Sequence, residues 1–159
     1  MDKMRIKMLT LMLLTMCLFP AVCFAENKAL GLKPERTLQY MSEVENYFSS
    51  QYGLSLKTPV TVYVTKSHKE YRDVILRNKV IDGKNIAETS YAVYGGKGNI
   101  LIDGSLLSDK HFFFILAHEL VHIYQYENIA DPHSDYVRLE GNADVVASKI
   151  SGYGIEIED

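Results

Sequence analysis

Cysteine is missing from most of this chain. Its two cysteines, Cys17 and Cys23, both lie within the first 25 residues, so nothing from Glu26 to Asp159 can form a disulfide. An exported protein without disulfides is held by its own core or by a bound metal. A surplus of positive charge is lacking too: 17 basic side chains face 20 acidic ones, a formal net charge of −3. Residues 1–25 hold three of those bases and one acid, which leaves −5 for the remainder. Such a surface offers no basic patch for nucleic acid. The sequence shows no internal repeat, no low-complexity segment and no long linker. Gly95-Gly96-Lys97-Gly98 has neither GxGxxG nor P-loop spacing and no helix at the right distance behind it, so it reads as a hairpin turn. The 134 residues after Ala25 are enough for a single domain, 26–159, with a sizeable core.

One long apolar run stands out, and it lies at the N-terminus. Lys3, Arg5 and Lys7 precede Met8 to Phe19, followed by Pro20 and the small-residue site Cys23-Phe24-Ala25. That order predicts a secretory signal peptide over 1–25, cleaved after Ala25. The product is then exported, periplasmic or secreted, with no stable membrane insertion. A retained anchor is the competing reading, since Met8 to Ala25 is near the lower limit for a span. Lipidation at Cys23 is disfavoured because Pro20-Ala21-Val22 is a poor match to a lipobox.

Beyond a short N-terminal tail, Pro34 to Tyr52 reads as an amphipathic helix with Leu38, Met41, Val44 and Phe48 on one face and Gly53 as its cap. Val60, Val62 and Val64 alternate with Thr61, Tyr63 and Thr65, the pattern of a half-buried strand. Ser67-His68-Lys69-Glu70 is a capping box that opens a helix to about Asn78, with His68 a solvated first-turn residue. Strands follow near 89–94 and 99–103. Ser108 or Asp109 caps a helix to about Glu127, and a last helix covers about 134–151. The expected fold class is α+β: a small, mostly antiparallel sheet with helices on one side. Either 89–94 or 99–103 should present an exposed edge to which an extended peptide can pair.

The helix after Ser108 carries the chemistry. His118-Glu119-Leu120-Val121-His122 has the spacing HExxH behind an apolar stretch, Phe112 to Ala117. Residues i and i+4 share a helix face, so His118 and His122 can present ring nitrogens to one metal ion. Glu119 lies about 100° round the helix from His118, close to such an ion without being a ligand, which suits a base acting on a water there. The plain alternative is two partly buried helix histidines beside an ordinary glutamate. A zinc site of this kind needs a third protein ligand. Gln125 and Asn128 stand where the metzincin pattern requires Gly and His, so that class is excluded. Downstream, Glu140 and Asp144 are again i and i+4. One can bind the metal while the other accepts the free N–H of a ligating histidine. Gly141 and Ala143 are small, as closely packed helices would require.

HExxH followed by Glu140-Gly141-Asn142-Ala143-Asp144 resembles the gluzincin metallopeptidases, the group of thermolysin and the Ste24-like proteases. The ExxAD form and its continuation from Ala147 to Tyr153 are similar to the latter. The likeness covers about 65 residues, including the strand pair before the first motif. It implies a zincin-like fold and one zinc ion held by His118, His122 and Glu140. It also implies Glu119 as general base and Asp144 as support for His118. A peptide or protein substrate follows from it. In that group a Tyr or His usually stabilises the oxyanion. Tyr136, one turn before Glu140, is the candidate here, with His133 and Tyr153 also near in sequence. Two other readings stay open: a secreted zinc- or protein-binding module without catalysis, and a zinc amidohydrolase that is not a peptidase.

Overall fold

The alternation at 60–65 sends two sets of side chains to opposite faces of a sheet. The computed structural model describes residues 26–78, 91–94, 97–105, 107–128 and 136–154. The elements in order are β1 (Lys28–Gly31), α1 (Pro34–Tyr52), β2 (Thr61–Thr65), α2 (His68–Asn78), β3 (Ala92–Tyr94), β4 (Asn99–Asp103), α3 (Asp109–Asn128) and α4 (Tyr136–Ser151). The class is α+β. The signal-peptide reading of 1–25 lies outside the described residues. No helix among those described is long and apolar enough to cross a membrane.

The four strands are ordered β1-β2-β4-β3. The prediction of a mostly antiparallel sheet is corrected: β1–β2 and β2–β4 are parallel, and only β3–β4 is antiparallel. A parallel pair needs a crossover of a dozen or more residues. α1 makes the one between β1 and β2, and α2 lies in the one between β2 and β4. Strand β1 itself escaped the sequence reading, which placed a tail there. Its four residues are too few for a visible alternation, and pairing with β2 is what makes them a strand. Gly31 ends it at φ 87°, where a Cβ would stand 2.0 Å from the Val64 carbonyl oxygen, so only glycine fits.

The placement of all helices on one side is also corrected. Val60, Val62, Val64, Ile100 and Ile102 bury one face against α1, α3 and α4. On the other face Tyr63, Leu101 and Val93 form one register row across three strands, and α2 covers it through Tyr71, Val74 and Ile75. An apolar row on that face could not stay uncovered, because each such side chain gains roughly 1.5–3 kcal/mol on burial. The capping box at α2 is half made. Ser67 Oγ accepts the Glu70 N–H at 3.2 Å, but the Glu70 carboxylate reaches back to the Lys66 N–H and the Tyr63 hydroxyl.

α1 buries Thr37, Tyr40, Met41, Val44 and Phe48, and Leu38 is 41 % exposed, so the buried stripe is rotated from the predicted one. The cause is aromatic stacking on α3. Tyr40 lies on Phe113 with ring centroids 4.0 Å apart, and Phe48 on Tyr124 at 3.8 Å. Such pairs add about 0.5–1.5 kcal/mol each beyond burial. These contacts clamp α3 between α1, the sheet and α4. Strand β4 is interior, so it has no free edge for a peptide; among the described residues β3 is the last strand on that side of the sheet, and it contacts α3.

Candidate metal centre

Ser108 caps the start of α3, its hydroxyl and carbonyl accepting the N–H groups of His111 and Phe112. It buries Phe112, Phe113, Leu116, Ala117, Leu120, Val121, Ile123 and Tyr124. His118 and His122 lie one turn apart on the side that meets α4. Against that side α4 packs Leu139, Ala143 and Ala147, all buried. The two alanines let the helices approach closely. Gly141, read as part of that requirement, is exposed, and an added Cβ there would touch nothing within 4 Å. Its smallness has no packing role.

This packing brings Glu140 across to both histidines. His118 Nε2 and His122 Nε2 are 3.0 Å apart, with the rings nearly perpendicular at 82°. Glu140 Oε2 stands 3.3 Å from His118 Nε2, and Oε1 stands 3.3 Å from His122 Nε2. One ligand atom from each of the three residues falls within 4.8 Å of the others, so the group could hold a metal ion. The imidazoles are largely shielded, 15 % and 12 % exposed, whereas Glu140 is 33 % exposed. The cluster is therefore reachable by solvent on its Glu140 side rather than sealed in the core.

Asp144, one turn beyond Glu140, places Oδ1 2.9 Å from His118 Nδ1. This is the nearest charged oxygen to a buried ring nitrogen that finds no well-formed hydrogen bond among the described residues. On the other histidine the partner is Gln125, which the sequence reading used only to exclude a metzincin. His122 Nδ1 is 2.8 Å from Gln125 Oε1, and Gln125 Nε2 donates to the Leu139 carbonyl at 3.0 Å. The available signal was spacing alone: Gln125 is three residues after His122, on the same helix face.

Burial, and after it the neighbouring His122, lowers the His118 pKa below the ordinary histidine range, against the opposing pull of Asp144 and Glu140. His118 is therefore neutral near pH 7, as a metal ligand must be. Glu119 has only partial access to solvent. That burial, with the Glu140 charge adding to it, pushes its carboxyl up to about 7. A carboxylate with that affinity for protons suits general-base work near neutral pH.

A row of rings leads away from the cluster. Phe114 is 6.3 Å from the His118 ring, Tyr153 is 5.4 Å from Phe114, and His111 stacks on Tyr153 at 5.0 Å. Tyr91, just before β3, meets His111 edge-on at 5.8 Å. Tyr153 is thus a member of this wall. Tyr136 opens α4, but its phenol lies outside the described residues, as does His133. His68 is not simply solvated: Nδ1 is 2.7 Å from Asp103, whose side chain is wholly buried on the α2 face of the sheet.

Compared with family models, with curated proteins and with solved structures, the chain finds no match. The likeness to gluzincins therefore rests on the two motifs and their spacing.

Proposed function

We propose that this chain is an exported zinc metallopeptidase with a zincin-like site, hydrolysing peptide bonds with Glu119 as general base. One observation carries the reading: one ligand atom each of His118, His122 and Glu140 lies within 4.8 Å of the other two. Tetrahedral zinc with bonds of about 2.0–2.1 Å needs its ligand atoms about 3.3 Å apart. The two histidine nitrogens are 3.0 Å apart, and each is 3.3 Å from one Glu140 oxygen, Oε2 for His118 and Oε1 for His122. The donor set, two imidazoles and one carboxylate, is also the one that zinc hydrolases use.

Held by these three residues, a zinc ion would supply Lewis acidity, polarising a carbonyl and making a water acidic near pH 7. The protein groups have separate tasks. His118 and His122 are fixed by one rigid helix and Glu140 by another, so the ligand geometry exists before any substrate arrives. Glu119 takes the proton of the attacking water and returns it to the leaving amine. Asp144 holds the His118 ring in orientation.

The purified protein should contain close to one zinc per chain by metal analysis and should digest an unfolded protein substrate. His122→Ala should lose most of the metal. Absence of zinc that cannot be restored would end the reading. Zinc bound normally with no cleavage would support the binding module instead.

Asp144→Ala separates support from ligation. It removes the anion beside His118 Nδ1 and leaves all three ligands, so zinc affinity should fall about 10–100-fold. Activity should return in part at high zinc. Unchanged affinity in a competition titration would make Asp144 a solvated helix carboxylate, as its 43 % exposure would then suggest.

A further inference from the structure

Gln125 holds the only side-chain amide placed between the two ligand-bearing helices among the described contacts, and its chemistry determines a proton position. The Leu139 carbonyl can only accept a hydrogen bond, so the amide NH2 of Gln125 must face it. The other end of the amide, Oε1, then faces His122 Nδ1 at 2.8 Å, and it too can only accept. Nδ1 must therefore carry the proton. In the neutral ring that leaves Nε2 of His122 as a lone pair, and Nε2 is the atom directed at His118 Nε2 and at Glu140. A backbone carbonyl on α4 thus sets, through one side chain, which nitrogen of a histidine on α3 is basic. The same carbonyl belongs to the residue immediately before Glu140.

We propose that Gln125 is a positioning residue with two ends: it fixes His122 in the Nδ1–H tautomer and ties that ring to the backbone that carries Glu140. For the metal this rests on the zinc reading above; the tautomer does not. The consequence is preorganisation. The His122 nitrogen meets the Glu140 carboxylate with its lone pair already directed inward, so binding a cation requires no tautomer exchange at His122 and little adjustment of α4 against α3. Without the amide, His122 could place its proton on Nε2 and donate it to Glu140, 3.3 Å away, which blocks the ligand position. Gln125 is itself partly buried, so water replaces the lost contact poorly.

The test reads the tautomer directly and the metal separately. Long-range proton–nitrogen correlation spectra of the metal-free protein should show His122 in the Nδ1–H form. In Gln125→Leu, which loses both contacts, the spectrum should shift to the Nε2–H form or a mixture. Zinc affinity by chelator competition should fall about 10–100-fold. Gln125→Glu keeps an acceptor for His122 but cannot donate to Leu139, so it should retain the Nδ1–H form. A residue that merely filled space would leave the tautomer unmoved. The proposal is overturned if His122 is Nε2–H in the parent protein, a measurement that needs no variant to fold, or if Gln125→Leu keeps the parental tautomer. A parent that shows the expected tautomer but binds no zinc would leave the Gln125 assignment standing and remove the zinc reading instead.

Discussion

Glu119→Gln is expected to lower peptide hydrolysis by about 10²–10⁴-fold while zinc content stays at the parental level. The substitution keeps the size and planarity of the side chain and removes only its ability to take a proton. Glu119 is not among the three residues whose ligand atoms converge, so the metal has no reason to leave. Folding should not suffer either. Burial and the nearby Glu140 charge already disfavour the ionised form of Glu119, as its pKa of about 7 records. A group whose folded pKa is raised in this way costs stability once it is ionised, so a neutral amide relieves that cost. The metal-free variant should melt at or above the parental temperature near pH 8. Three readouts therefore separate the possibilities: turnover, zinc per chain and melting temperature. Turnover at the parental rate with zinc bound would remove Glu119 from the chemistry. Loss of zinc would instead make it a ligand.

What the sequence made legible depended on how local the determining interactions are. The helices at 34–52, 68–78 and 109–128 were visible because caps and 3.6-residue periodicity are properties of neighbouring residues. His118, His122, Glu140 and Asp144 were legible for the same reason, since each pair needs only i and i+4 on one helix. The sheet was harder. Whether β2 pairs in parallel with β1 and β4 is decided by crossovers and by covering Tyr63, Leu101 and Val93 with α2, which no single segment states. The rotated face of α1 has the same origin: Tyr40 buries where Leu38 was expected because Phe113 stacks on it. Gln125 and Asp103 were missed because a polar residue's role lies in a partner far along the chain. Leu139 is 14 residues from Gln125, and His68 is 35 from Asp103.

Asp103→Ala should destabilise the fold by about 3 kcal/mol, or roughly 150-fold in the folding equilibrium. The Asp103 carboxylate is wholly buried at the end of β4. It accepts from the Ser105 N–H at 3.1 Å and from the Ser105 hydroxyl at 2.6 Å, and it meets His68 Nδ1 at 2.7 Å. Those contacts connect β4, the turn after it and the first turn of α2. Charge-assisted hydrogen bonds contribute about 1.5–3 kcal/mol each, and the total is discounted because His68 and Ser105 can regain water. The pH dependence has a definite sign. Burial opposes the charge, but the Ser105 and His68 contacts outweigh it and hold the carboxyl below its usual range. A depressed folded-state pKa gives stability that is full above about pH 4 and is lost as pH falls through the folded value. The difference between parent and Asp103→Ala in urea midpoint should therefore be large at pH 7 and shrink towards pH 2. Asp103 faces α2, on the opposite side of the sheet from α3, so zinc affinity of the folded variant should match the parent. A stability gap that is the same at pH 7 and pH 2 would show that Asp103 contributes through packing and not through its charge.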